Sequence, residues 1–314
     1  MGQVSTATWA MVLAGGDGMR LKPLTTQIAG DTRPKQFCPI LDGETLLDAT
    51  RRRADLVARF DRQMVVVSRS HEPYYRYLHA ELAPGRLVVQ PQNRGTAPGI
   101  LYPLLHVAQL GGDVPIAILP SDHYVGDDQA FMAYVSQAVE VVRQRPDLVV
   151  LLGVDADRPE TEYGWIEPYG APVGIEGEPA FPIRRFWEKP SPRLAEALLD
   201  RGCLWNSFIM IGWTHAFLSL YRTALPGLLA AFEPLRAALG RTAEFDEAER
   251  LYHVIPDVNF SDRVLSVAVD RLATIRVKSV EWSDWGNVAR VMKSLARAGK
   301  RPGWLGRVEL ASTG

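Results

Sequence analysis

Three glycines, two cations and two aspartates carry the chemistry that is legible in this chain. Gly15, Gly16 and Gly18 follow a short apolar run, Trp9 to Leu13, which suits a strand buried on both faces. Glycines there let the backbone turn with its N–H groups exposed, and such a loop wraps an anion. Arg20 and Lys35 add fixed positive charge, so a polyphosphate held by backbone amides and two cations suits the combination. The spacing is neither the Gly-x-x-x-x-Gly-Lys-Ser/Thr loop nor the three-glycine dinucleotide fingerprint. Taken alone, a glycine-rich turn after a strand is more often a plain turn. Asp122 stands just past the apolar run Val114 to Leu119, where a carboxylate is placed to hold Mg²⁺, a cation that takes hard oxygen ligands. Its alternative role is to cap the helix that follows. Asp284 offers a second carboxylate, with a turn residue as its alternative, and His123 reads as a structural neighbour because Mg²⁺ selects carboxylates over imidazole.

The elements that must position these groups alternate. Strands are expected at Trp9 to Leu13, Met64 to Ser68, Leu87 to Gln90, Val114 to Leu119 and Leu148 to Val154, with helices at Leu46 to Phe60, Tyr74 to Leu82, Gly99 to Leu110 and Phe131 to Arg143. That rhythm predicts a parallel α/β sheet, whose ligands bind beyond the carboxyl ends of the strands. The polar loop Pro91 to Pro98 leaves one such end, with Thr96 either near a ligand or capping a helix. Beyond it, Thr161 to Glu167 and Ile183 to Pro190 read as antiparallel additions joined by Gly170 to Pro182. There Gly164 allows close backbone approach to a second substrate, Glu167 can accept hydroxyl hydrogens and Lys189 can face a phosphate. Their plain alternatives are a bulge glycine, an exposed carboxylate and a surface lysine. A helix at Leu194 to Arg201 precedes a strand, Leu204 to Gly212, that opens on the unexpected polar pair Asn206 and Ser207; Trp205 reads as core. Helices broken at Pro226 and Pro234 fill Ala216 to Tyr252, Asn259 opens another, and Ala273 to Val277 is a further strand. A helix at Val288 to Ala298 and a loosely held tail at 299–314 close the chain.

A chain of 314 residues, 47% hydrophobic and 23% charged, has the composition of a soluble globular protein. The formal net charge of −1 leaves no electrostatic footprint for nucleic acid or an anionic membrane. Two cysteines, Cys38 and Cys203, make neither a metal cluster nor a disulfide framework, so a reducing cytoplasm is expected, without export or membrane insertion. Met1, Gly2 and Thr6 match the permissive myristoylation pattern, read here as a short tail.

Leu13-Ala-Gly-Gly-Asp-Gly-Met-Arg-Leu21 with Pro34-Lys-Gln-Phe37 resembles the signature of the sugar-1-phosphate nucleotidylyltransferases, in the form found in mannose-1-phosphate guanylyltransferases. Arg94-Gly-Thr-Ala-Pro98, Pro120-Ser-Asp-His123, Tyr163-Gly-Trp-Ile-Glu167, Glu188-Lys-Pro190, Trp205-Asn-Ser207 and Trp282-Ser-Asp284 resemble further motifs of that family, in its order. The resemblance implies a Rossmann-like, open, mainly parallel mixed sheet flanked by helices, the nucleotide-diphospho-sugar transferase fold. One domain is expected over 1–298, its nucleotide part at about 9–155 and its sugar-phosphate part at about 156–298. Leu13, Ala14, Gly15, Gly16, Gly18, Arg20, Gln90, Gly95, Thr96 and Ala97 would bind the nucleotide. Gly164, Glu167, Glu188, Lys189 and Asn206 would bind the sugar phosphate, with Arg20, Lys35 and Asp122 catalytic and Asp122 and Asp284 holding Mg²⁺.

What the resemblance implies is the joining of a sugar 1-phosphate, mannose 1-phosphate above all, to GTP with release of pyrophosphate. The alternatives are a sister enzyme using UTP or dTTP with glucose 1-phosphate, or a non-catalytic nucleotide-sugar sensor. Small-molecule substrates and a possible homodimer are the expected partners. The pattern is departed from at Met19, where a hydroxyl is usual, at Phe208, where glycine is usual, and at Phe260 to Leu265, where a lysine is replaced, with Arg263 the candidate substitute. No repeated β-solenoid pattern follows residue 298, and the C-terminal domain of many relatives is expected to be absent.

Overall fold

The computed structural model describes residues 7–41, 43–173 and 179–306. The Met1, Gly2 and Thr6 pattern and part of the Gly170 to Pro182 connection lie outside them. The strands are β1 Trp9–Ala14, β2 Gln63–Ser68, β3 Leu87–Gln90, β4 Pro115–Pro120, β5 Tyr124–Val125, β6 Val149–Asp155, β7 Gly164–Pro168, β8 Ala180–Glu188, β9 Leu204–Trp213, β10 Leu272–Val277 and β11 Trp282–Ser283. Nine of them form one sheet in the order β3-β2-β1-β4-β9-β6-β10-β8-β7, with β7 also paired to β9, while β5 and β11 make a separate ribbon. β1 runs parallel to β2 and β4, β2 to β3, and β6 to β10. The expected parallel sheet is therefore present but mixed, since β9 lies antiparallel between β4 and β6. This insertion puts the first residues of β9 at the edge where β4 and β6 end.

The central strands β1, β2, β4, β6, β9 and β10 are buried on both sides because both faces are covered. Helix Thr96–Gly111 packs on one face with Thr214–Ala224 and Glu244–Val254, and Leu46–Ala54, Asp128–Gln144 and Pro192–Asp200 pack on the other. A third, smaller core joins the ends of the chain: Leu21 and Leu24 meet Trp285, Val291, Leu295 and Trp304. Trp304 is only 3% exposed and its indole donates to the Ile40 carbonyl at 2.9 Å. The expectation of a loosely held tail from residue 299 is thus corrected as far as 306, because one buried indole docks it.

Other differences are local. The helix expected over Leu46 to Phe60 ends at Ala54, and that over Tyr74 to Leu82 is two short pieces, Glu72–Tyr75 and Leu78–Glu81. Helix Lys22–Ala29 was not expected. Pro226 and Pro234 each stand in the first turn of a new helix, where no N–H is needed. Asn259 caps a π-type turn at Ser261–Leu265, its side chain accepting from Asp262 N at 3.1 Å.

One half-buried carboxylate fastens the helical face. Glu244 accepts from Tyr102 Oη and contacts His106 Nε2, both at 2.7 Å, and takes the Gly240 N–H at 2.7 Å. Burial would raise its carboxyl, but the His106 hydrogen bond and the Gly240 and Tyr102 donors outweigh it and bring it from 4.5 to about 2. A depressed folded value stabilises the protein above the unfolded value and is lost as pH falls through the folded one. Glu244→Gln is expected to cost roughly 1–2 kcal/mol at pH 7, solvent screening of a half-buried group reducing the full effect of the shift. In urea titrations the gap to the wild type closes between about pH 4.5 and 2; a gap independent of pH contradicts the assignment.

Candidate active site

The loop between β1 and helix Lys22–Ala29 is held from beneath. Gln36, buried, donates through Nε2 to the carbonyls of Ala14 at 3.0 Å and Gly16 at 2.7 Å. Gly18 has φ 57°, and a Cβ there would stand 3.1 Å from Lys35 N. Glycine is needed on both counts. On the outer side Asp17 accepts from Asn93 Nδ2 at 2.9 Å and meets His71 Nε2 at 3.2 Å.

Lys35 is 6% exposed, and its ammonium lies 3.2 Å from Asp122 Oδ2 and donates to the Asp284 main-chain oxygen, with Trp285 O at 3.4 Å. Asp122 leaves the end of β4, and Asp284 follows β11; the pairing of β5 with β11 brings those two chain segments together. Burial pushes the Asp122 carboxyl up, but the Lys35 ammonium outweighs it and holds it below the usual carboxylate range. Asp284 is likewise below that range, burial being overcome by Lys35 and Arg290. His123, 3.5 Å from Asp122 Oδ1, is lowered by burial against the pull of Asp122, so the ring is neutral at pH 7. A divalent cation fits this donor set: two ionised carboxylates open on one cleft, the oxygen-only set that a hard cation takes along with water and phosphate oxygens. No cluster of three or more His, Cys, Asp or Glu suited to a metal occurs among the described residues, so protein ligands beyond these two are not offered.

A cleft of about 460 Å³ runs along the carboxyl edge of the sheet. Leu13, Gly15, Gly16, Arg20, Lys35, Gln90, Gly95, Thr96, Asp122, Glu188, Lys189 and Asp284 of the expected set line it. Gly18 lies in an adjoining hollow. Ala14 and Ala97 are buried outside the lining. Ala97 donates to Val258 O at 3.0 Å and accepts from Tyr221 Oη at 2.7 Å, so it holds the cleft wall. Thr96 Oγ1 accepts from Phe260 N at 2.7 Å, the same kind of seam. Glu167 is away from the cleft and near Arg184 and Arg201, at 3.7 and 3.5 Å. Strand alternation sends it to the face opposite Gly164.

Gly164 and Asn206 are packed together just behind the lining, where a Cβ on Gly164 would meet Phe186, Glu188 and Asn206. The Asn206 amide oxygen accepts from Phe208 N at 3.1 Å, and Ser207 Oγ donates to Leu152 O at 2.7 Å. This polar pair shapes an irregularity in β9, whose register against β6 shifts between Leu151 and Gly153. Phe208 stands at its apex with φ 59°, lines the cleft and meets Phe260 edge-on at 6.5 Å. Lys189 (φ 47°) and Trp285 (φ 45°) are also left-handed, each costing about 1–3 kcal/mol. Three of the four non-glycine residues in that region among the described residues thus border the site, as expected where packing enforces a functional geometry. Arg263 is exposed and outside the lining, and Met19 is solvent-facing.

The sequence profile described as nucleotidyl transferase matches residues 9–298. The chain belongs to the nucleotidyl transferase family. It is 30% identical over 285 residues to the xanthan biosynthesis protein XanB of Xanthomonas campestris pv. campestris strain B100, covering 88% of this chain and 57% of that protein. To the mannose-1-phosphate guanylyltransferase of Escherichia coli K12 it is 27% identical over 289 residues, covering 89% and 58%. The chain therefore spans just over half the length of these relatives. A Thermus thermophilus crystal structure titled mannose-1-phosphate geranyltransferase superposes with a TM-score of 0.77 at 30% identity, covering 94% of this chain and 79% of that one. A UDP-glucose pyrophosphorylase at 18% identity and TM-score 0.55 shares the fold.

Groups given no role from the sequence complete the cleft. Gln36 and Asn93 brace the glycine loop, Tyr163 and Arg290 donate to Asp284, and Glu162 pairs with Arg290. Arg290 sits on an amphipathic helix, where an arginine ordinarily reads as solvated. No sequence signal marked it. No helix among the described residues is long and apolar enough to cross a membrane.

Proposed function

We propose that this chain joins a sugar 1-phosphate to a nucleoside triphosphate, giving a nucleotide sugar and pyrophosphate, with mannose 1-phosphate and GTP as the substrates. The observation that carries the reading is the convergence of the glycine loop, Arg20, Lys35 and two ionised carboxylates on one cleft. The names of the relatives support the choice of sugar and base.

A phosphate oxygen of the sugar phosphate attacks the α-phosphorus, and the bond to the β-phosphate's bridging oxygen breaks. The attacker belongs to the substrate, so the chain supplies positioning and charge, not a nucleophile. Backbone N–H groups of Gly15 and Gly16 and the cations of Arg20 and Lys35 hold the triphosphate and stabilise the leaving pyrophosphate. Gln90, Gly95 and Thr96 form the wall beside the base, while Glu188 and Lys189 flank the sugar phosphate. Mg²⁺, when held by Asp122 and Asp284, screens the repulsion between the two reacting phosphates. Both cysteines are free and buried, which suits a cytoplasmic setting.

Phe208 in the cleft favours one second reading, a sister enzyme whose sugar differs from mannose. The test crosses four nucleoside triphosphates with mannose 1-phosphate and glucose 1-phosphate, reading pyrophosphate release with Mg²⁺. Turnover with GTP and mannose 1-phosphate, lost in Asp122→Ala and Asp284→Ala, is expected. Turnover with another pair selects the second reading, and silence from folded protein that binds nucleotide removes the catalytic one.

A further inference from the structure

Behind Asp284 lies a closed ring of charge, of which Arg290 and Glu162 have no part in the reaction as described. Arg290, on helix Val288–Arg297, is 9% exposed at its side chain and donates through Nη1 to Asp284 Oδ1 at 2.9 Å. The same oxygen takes the Tyr163 hydroxyl and the Gly286 N–H, both at 2.9 Å. Oδ1 is therefore engaged by three donors. Oδ2 has only the Arg290 Nη1 at 3.2 Å and the Arg20 Nη2 at 3.8 Å, and Asp284 borders the cleft. The other nitrogen of the fork, Nη2, lies 2.7 Å from Glu160 Oε2 and 2.7 Å from Glu162 Oε2. Glu162 then gives its second oxygen, Oε1, to Arg20 Nη1 at 2.7 Å. Arg20 is 55% exposed at its side chain, and a long cation in that setting is mobile unless something fixes it.

We infer that Arg290 and Glu162 are positioning residues that align the two charged ends of the cleft through one buried guanidinium. Arg290, with Tyr163, fixes Asp284 by Oδ1 so that Oδ2 is the oxygen offered to a divalent cation. Glu162, held by the same fork, carries Arg20 to the place where pyrophosphate charge develops. The planar fork is required because two nitrogens serve three carboxylates in different directions, which a lysine ammonium does not reproduce. Partners that orient a metal-binding carboxylate commonly alter metal affinity or activity by about 10–100-fold when removed.

The inference rests on the reading of Asp284 as a cation ligand, and the experiment separates the two. Mn²⁺ is titrated into the enzyme together with the α,β-methylene analogue of the nucleoside triphosphate that turns over, and free Mn²⁺ is read by electron paramagnetic resonance. Arg290→Lys, which keeps the charge and loses the fork, is expected to weaken Mn²⁺ by about 10-fold or more, with circular dichroism and the analogue's own binding in the absence of metal unchanged. Tyr163→Phe weakens it in the same direction by less. Glu162→Gln leaves Mn²⁺ affinity within about 3-fold, because Glu160 still holds the Arg290 fork, but lowers kcat/KM for the triphosphate by about 10-fold, because Arg20 loses its carboxylate partner. If Asp284→Ala abolishes Mn²⁺ binding while folded Arg290→Lys keeps wild-type affinity, the inference falls and the cation reading stands. If Asp284→Ala itself binds Mn²⁺ normally, the cation reading falls and takes the inference with it. Wild-type kcat/KM in Glu162→Gln overturns the Arg20 half of the relay.

Discussion

Lys35→Met lowers kcat/KM for pyrophosphate release by about 10²–10³-fold, the effect of losing one preorganised donor aimed at developing charge. The methionine retains most of the buried stem, so the loss isolates the ammonium. That group stands between Asp122 and the Asp284 segment, donating to main-chain oxygens on one side and facing a carboxylate on the other. Its removal leaves carbonyls short of a donor, which costs about 1–3 kcal/mol of stability, and takes away the cation that helps to hold both carboxyls below their usual range. Arginine is not expected to rescue it, because a guanidinium is larger than the buried space and fans its donors in a fixed plane. Steady-state rates beside urea titrations give both numbers. A variant within threefold of wild type places the pyrophosphate elsewhere.

Gly95→Ala unfolds the cleft wall, at a cost of about 2–5 kcal/mol from backbone strain and overpacking together. Gly95 has φ 80° and ψ 178°, a region that essentially only glycine occupies. An added Cβ would stand 2.5 Å from Val258 O and 2.9 Å from Val258 C, both backbone atoms that no rotamer change can move aside. The neighbouring seam also suffers: Val258 N donates to Arg94 O, Ala97 N to Val258 O, each at 3.0 Å, and Phe260 N to Thr96 Oγ1 at 2.7 Å. The variant is expected to lower the urea midpoint and raise KM for the triphosphate together. A change in KM without loss of stability would mean that Gly95 serves the nucleotide alone.

Gly95 marks the boundary between what the chain states and what it leaves to folding. Its segment read as a nucleotide loop, and half of that segment turned out to bind the 258–260 segment. The same holds for Asn206 and Ser207, a polar pair conspicuous within an apolar strand: their side chains hold the irregular stretch of β9 that carries Phe208. Polar residues at a strand end signal that something needs hydrogen bonds, but not whether the partner is ligand or backbone. Glu167 was misplaced for a related reason, because alternation assigns its face only once β7 is set between β8 and β9.

The sequence by itself determined the parallel half of the sheet, the glycine loop and the acidic residues at the strand ends. These follow from local patterns: apolar runs of strand length, glycines where the backbone must turn, and carboxylates just past buried strands. Tertiary structure alone decided the antiparallel insertion of β9 and the docking of Trp304, while the meeting of Asp122 with the Asp284 segment, implied beforehand only by the family resemblance, is made by the pairing of β5 with β11. Contacts between residues so distant in sequence leave no period or spacing to read. Arg290 is the clearest case. On its helix it is one of two arginines, the other being Arg297, and only packing makes it the group that holds Asp284.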